Sequence, residues 1–255
     1  MNALEKRLID AADRFGLALM PKWRMVRLPM AEHLGSVFRK YGIDAVIDVG
    51  ANVGQYGDFL RNEVGFEGWI LSFEPHPTTF ATLARHVEAD ERWLAFKMAL
   101  GAAPGTATLH VAGHSTLNSL REPDFAATEM AALKRRIVQE EEVPVETFDR
   151  QVMPLLQQHG LHRPYLKMDT QGFDLEVLRG AGEGLGSLAG LQFEGSIVPL
   201  YRDMPSYAEM LEHLSPRGFS ISGLFPVAHD AALQLLEFDC IMVSTNHARR
   251  ILDAQ

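Results

Sequence analysis

Apolar and polar positions change rhythm several times along this chain, and each change marks an element. Leu4, Leu8, Ala12, Phe15 and Leu19 recur at helical spacing, so residues 3–19 read as an amphipathic helix stopped by Pro21. Residues 31–41 read as a further helix. Continuous apolar runs follow at Ala45–Val49, Trp69–Phe73 and Leu94–Leu100, separated by helical patterns at about 55–64 and 77–89. Unbroken runs of this length suit parallel strands covered on both faces. Thr106–Val111 alternates instead, as an edge strand does. Val143–Phe148 reads as its antiparallel partner, with Pro144 suited to an edge. In the second half, Asp149–His159 and Asp174–Arg179 read as helices flanking a strand at Tyr165–Asp169. Leu188–Glu194 is a strand and Pro205–Leu214 a helix. Phe219–Leu224 and Leu235–Val243 are two final strands, close enough in sequence to pair antiparallel. The pattern predicts an α/β fold: a Rossmann-like, seven-stranded open sheet, mostly parallel with an antiparallel last strand, and helices on both faces. Residues 1–42 form an N-terminal helical extension and 43–248 the main domain. Residues 112–142, with a helical pattern through Ala126, Met130, Leu133 and Ile137, read as a lid or substrate insertion.

Composition narrows the function classes. The chain has 255 residues, 47% of them hydrophobic and 22% charged, as in an ordinary globule with one large domain. A formal net charge of −9 argues against an extended nucleic-acid surface, which needs a basic face. The single cysteine, Cys240, excludes an internal disulfide and fits a packing role in a buried strand. No run approaches the roughly twenty apolar residues of a membrane span, so stable membrane insertion is not expected. The beginning of the chain has no export pattern, and a cytoplasmic protein is expected. The amphipathic N-terminal helix would suit the interface of a homodimer.

Chemistry enters at Val46-Ile47-Asp48-Val49-Gly50-Ala51-Asn52-Val53-Gly54-Gln55, followed about twenty residues later by Phe73-Glu74-Pro75. A strand, a glycine turn, a helix and a second strand ending in an acid form a nucleoside-binding unit. A dinucleotide fingerprint has a glycine where Asn52 stands. An acid inside the first strand, Asp48, suits a ligand with ammonium and sulfonium charges. Asp-x-Gly-x-x-x-Gly is the pattern for S-adenosylmethionine, with S-adenosylhomocysteine as product. Gly50 and Gly54 permit a tight turn and close approach, Asn52 offers a donor and an acceptor, and Glu74 suits the ribose hydroxyls. Ligands bind such sheets at the carboxyl ends of the strands, which places Asp48–Gly54, Glu74, Ala99, Asp169 and Glu194 on one rim.

These segments, with Ala99-Leu100-Gly101, Leu166-Lys167-Met168-Asp169-Thr170-Gln171-Gly172 and Val177-Leu178-Arg179-Gly180-Ala181, resemble the FkbM family of methyltransferases over about residues 43–245. The resemblance implies the class I methyltransferase sheet and S-adenosylmethionine-dependent O-methylation of small molecules, notably sugars and hydroxylated natural products. The expected donor contacts are Asp48, Gly50, Asn52, Gly54, Gln55, Glu74, Pro75, Ala99 and Asn118. Asp169 is the leading candidate base, with a competing role in orienting Asn118 or binding the donor's amino group. His114 is a second candidate for base or substrate contact. Glu194 could bind sugar hydroxyls or act as base, and Tyr201 could contact a hydroxyl. The ten histidines are scattered, so no metal site is expected. A small-molecule or carbohydrate acceptor is the expected partner. Two other functions fit less of the pattern: a nicotinamide-dependent oxidoreductase, and a donor-binding partner protein without catalysis.

Overall fold

The computed structural model describes residues 22–113, 115, 118–122, 137–199 and 201–253. The expected helix at 3–19 lies outside the described residues. Helix α1 (Lys22–Tyr41) starts earlier than the periodicity suggested. Its buried stripe of Ala31, Leu34, Phe38 and Tyr41 lies against the sheet. The chain then alternates through β1 (Ala45–Val49), α2 (Gln55–Phe59), which continues as a π-helical turn at Leu60–Val64, β2 (Trp69–Phe73), α3 (Pro77–Val87) and β3 (Trp93–Phe96). The second half runs through α4 (Phe148–Gln158), β7 (Pro164–Met168), α5 (Asp174–Gly180), β8 (Gly190–Ser196), α6 (Tyr207–Leu214), β9 (Phe219–His229) and β10 (Leu235–Ser244). A last helix, α7 (Thr245–Asp253), was not legible in the sequence pattern.

The main sheet has seven strands in the order β3-β2-β1-β7-β8-β10-β9. All neighbours pair parallel except at β10, which runs antiparallel to both β8 and β9. The seven-stranded, mostly parallel sheet with one reversed strand is therefore present. From β1 the chain builds outward through β2 and β3, then returns to the other side of β1 with β7. This reversal at β1 is the switch point where such sheets leave a crevice.

One sequence expectation needs correction. Leu94–Leu100 is not a single strand of the main sheet. The chain leaves that sheet after Phe96, and Ala99–Leu100 (β4) joins a second, three-stranded sheet with β5 (Gly105–Ala112) and β6 (Ile137–Glu146), in the order β4-β6-β5. Both strands are apolar, so the run alone could not reveal the break. The antiparallel β5–β6 pair is as expected, and Pro144 faces Thr106 outside the two-residue reach of β4. Ala112 and Ile137–Glu142 are strand residues. Of the rest of the segment 112–142 expected as a lid, 114, 116, 117 and 123–136 lie outside the described residues.

Two apolar cores form on the two sides of the main sheet. Ile47, Val49, Leu71, Leu166, Met168, Leu191, Phe193 and Cys240 face one side; Val46, Ile70, Tyr165 and Ile241 face the other, beneath α1. Among the described residues no helix is long and apolar enough to cross a membrane.

Candidate active site

A cavity of about 470 Å³ opens at the carboxyl ends of β1, β2, β7 and β8. Its size is that of a small-molecule site. Of the sequence-predicted residues, Gly50, Asn52, Gln55, Glu74, Pro75, Ala99, Asn118, Asp169 and Glu194 line it, although Ala99 reaches it from the second sheet. His114 lies outside the described residues. Tyr201 is buried and bonded to the cavity-lining Gln171.

The first wall is the turn after β1. Asn52 has φ 50, a left-handed conformation that Asn tolerates better than most residues. Its main-chain N–H donates to Glu74 Oε2 at 2.9 Å, and the His76 N–H donates to Glu74 Oε1 at 2.9 Å. Each carboxylate oxygen thus spends one acceptor site on the backbone and keeps capacity for another donor. Burial raises the Glu74 pKa to about 7, against the lowering effect of these two bonds. Asn52 is 9% exposed, and neither Oδ1 nor Nδ2 of its side chain has a hydrogen-bond partner. A buried amide left unsatisfied costs about 1–3 kcal/mol. Such an amide on a cavity wall is a site waiting for a polar ligand.

Two predicted donor residues stand elsewhere. Asp48 is fully buried and does not line the cavity. Lys167 Nζ donates to its Oδ1 at 2.9 Å, and Ser72 Oγ reaches its Oδ2 at 3.4 Å. Its charge is met by Lys167, a partner 119 residues away that no local pattern shows. Gly54 has φ 101, and a Cβ there would meet Leu83 at 3.2 Å and Trp93 at 3.3 Å. It closes the packing behind the turn. Gly50 is the glycine that makes the close approach. With φ 79, a Cβ on it would sit 2.0 Å from the Asp169 carbonyl oxygen.

The second wall comes from β7, β8 and β10. Lys167 crosses from the Asp48 pair to Asp169, 3.6 Å from Oδ2. Burial pulls its pKa down, but Asp48 and Asp169 outweigh burial and hold it above the ordinary lysine value. Tyr56 O–H donates to Gln192 Oε1 at 3.0 Å, and Gln192 Nε2 donates to Asp239 Oδ1 at 2.9 Å. Asp239 stands opposite Glu194 in the β8–β10 register, and burial raises its pKa. Gln171 Nε2 donates to Asp169 Oδ1 at 3.1 Å and to Glu194 Oε2 at 3.2 Å. The Asn118 side chain bonds to the strand β5 instead of to Asp169: its Oδ1 accepts the Ala112 N–H at 3.0 Å. Ser119 Oγ donates to the Gln171 carbonyl at 2.7 Å and Arg121 Nε to that of Gly172 at 2.7 Å, so the chain after β5 is tied to the turn after β7.

Sequence reasoning left Lys167, Tyr56, Gln192 and Asp239 without roles. Lys167 had a signal: a charge inside the apolar run Pro164–Met168 demands a buried partner. The cavity therefore has an apolar side of Phe73, Leu100 and Leu109 and a polar side rich in carboxyls, with Lys167 as the deep cation. Among the described residues no cluster of three His, Cys, Asp or Glu side chains could hold a metal ion.

The family model described as the methyltransferase FkbM domain matches residues 48–221. A curated relative, Methyltransferase sdnD of Sordaria araneosa, is 28% identical over 159 residues, covering 54% of this chain and 60% of that protein. The chain thus matches less than two thirds of that relative's length. Among solved structures, the methyltransferase FkbM of Methylobacillus flagellatus KT is 15% identical, with a TM-score of 0.48 over 78% of this chain and 43% of that one. An rRNA methylase of Streptococcus thermophilus is 11% identical, with a TM-score of 0.43 over 89% of this chain and 99% of that one.

Proposed function

This chain belongs to the FkbM methyltransferase family, and on that premise we propose that it transfers a methyl group from S-adenosylmethionine to a hydroxyl of a small molecule or sugar. The observation that carries the donor assignment is the unpartnered carboxamide of Asn52, buried beside Glu74 on the cavity wall. The Asn52 amide would hold the polar amino-acid end of the donor, and Glu74 would accept from its ribose hydroxyls. Ala99, Leu100, Phe73 and Leu109 offer an apolar slot for the adenine. When bound, the donor supplies an electrophilic methyl on a sulfonium, whose carbon–sulfur electron pair stays on sulfur as the acceptor oxygen takes the methyl.

The chain's own contribution is alignment and proton removal. Holding an acceptor oxygen in line is worth about 7–11 kcal/mol of barrier in favourable systems. The Asp169 carboxylate, fixed by Gln171 and standing beside Lys167, would take the acceptor's proton. A positioned base contributes about 10²–10⁴ in rate. Lys167 compensates Asp48 and so keeps the strand end rigid beneath the donor turn. The direct contact of Asp48 with the donor, expected from sequence, has no place in this reading, because Lys167 covers it. The protein would act in the cytoplasm.

Calorimetry on purified protein tests the reading. S-adenosylmethionine and S-adenosylhomocysteine should both bind and NAD should not. Heat from NAD alone, or from none of the three, would remove the donor assignment. A mass-shift screen of pooled hydroxylated metabolites and glycans with labelled donor then identifies the acceptor.

A further inference from the structure

Asp169 and Glu194 belong to different strands but share one nitrogen. Gln171 sits at φ 53 in the turn after β7, and its Oε1 accepts from Tyr201 O–H at 2.9 Å. That bond turns Nε2 toward the two carboxyls, at 3.1 Å from Asp169 and 3.2 Å from Glu194. Both acids line the cavity, so one small molecule can reach both.

Their surroundings differ. The Asp169 side chain is 45% exposed and lies 3.6 Å from the Lys167 ammonium. Among the described residues no cation pairs with Glu194, which accepts from Gln171 instead. Burial, then the charges of Asp169, Glu237, Asp239 and Asp174, push its pKa up to about 9. At neutral pH it carries its proton and can donate a hydrogen bond. Two acids with environments pushed apart have two different jobs.

We propose that Asp169, Gln171 and Glu194 form an acceptor-recognition site for molecules with oxygens on neighbouring carbons, a vicinal diol or hydroxy carbonyl. Asp169 accepts from the reacting hydroxyl, Glu194 donates to the second oxygen, and Gln171 positions both. The hydroxyl's proton passes to Asp169 and then to solvent; Glu194 keeps its own proton throughout. A single-hydroxyl acceptor leaves the Glu194 O–H without a partner, which weakens binding by about tenfold or more. This inference rests on the methyl-transfer reading.

The test uses the protein saturated with S-adenosylhomocysteine, titrated with cis-1,2-cyclohexanediol and with cyclohexanol. Absence of S-adenosylhomocysteine binding is a failure of the methyl-transfer reading and is seen before either probe is added. Given that complex, the diol should bind about tenfold tighter than the mono-ol. Glu194→Gln, whose amide still donates, should keep that preference, and Glu194→Leu should lose it. Glu194→Gln is isosteric, so the comparison stands even where Glu194→Leu does not fold. With the acceptor from the labelled screen, Asp169→Asn should lose turnover about a hundredfold or more. Equal binding of the two probes, including no binding of either, overturns the proposal. So does loss of the preference in Glu194→Gln.

Discussion

The two faces of the central sheet are made from the same strands and behave as different materials. On one face β1, β7, β8 and β10 present Ile47, Val49, Leu166, Met168, Leu191, Phe193 and Cys240, all buried and all apolar. On the other, the alternate positions begin as apolar, with Val46 and Tyr165, and become polar toward the ligand rim. Ser72, Asp48, Lys167 and Gln192 lie in neighbouring registers across four strands. All four are buried. The first face is held by removing apolar surface from water, at about 25 cal/mol per Å². The second is held by pairing, and a pair fails when one member is lost. The candidate site therefore sits on the face where stability depends on specific partners.

The largest effect that sharpens this contrast is Lys167→Met. It leaves Asp48 buried without a counter-charge and should cost about 3–5 kcal/mol in urea unfolding at pH 7. Adding Asp48→Asn should recover much of that loss. Leu166→Ala, one residue away on the apolar face, should cost about 2–5 kcal/mol with no rescue from any polar change. If the Asp48→Asn addition restores nothing, the pairing account of the polar face is wrong. Next in size, Asn52→Ala should weaken S-adenosylhomocysteine binding about tenfold by calorimetry, the loss of roughly one good hydrogen bond. Thermal stability should fall only by the small cost of an alanine at the left-handed φ of this position, because the Asn52 side chain has no partner to lose. A drop in stability without a drop in affinity would give the amide a structural role instead. The effect that depends on pH is in Glu194→Gln. Glu194 is neutral in the fold up to about 9 but ionises in the unfolded chain near 4.5. Its stabilising contribution is full below about pH 4.5 and is lost as pH rises toward 9. The glutamine variant should therefore match the wild type at pH 4 and exceed it at pH 8, by about 2–4 °C per kcal/mol gained.

Much of this was legible in the sequence, and the limits have physical causes. Strands β1, β2 and β7 were visible because strands covered on both faces must be apolar throughout. The rim followed from topology, and it brought Asn52, Glu74, Asp169 and Glu194 around one cavity. Asp48 is the instructive failure. An acid beside a ligand turn looked like a ligand contact, and the covering ammonium comes from Lys167, fixed only when β1 pairs with β7. The break between Phe96 and Ala99 was hidden for a similar reason. Periodicity records burial but not which sheet does the burying. Glycines were ambiguous in the same way: Gly50 touches the Asp169 backbone and Gly54 a tryptophan, a difference that spacing does not encode.

The contact between Gly50 and the Asp169 carbonyl also limits how the pocket can be re-engineered. The turns proposed to serve donor and acceptor lean on one another, so neither can be moved to make room without displacing its neighbour. Space for a bulkier acceptor is better sought at Met30 of α1 and Val227 of β9, which line the same cavity outside these turns, half of Val227 already in solvent. Trimming those two side chains widens the entrance and leaves the reacting geometry where it is.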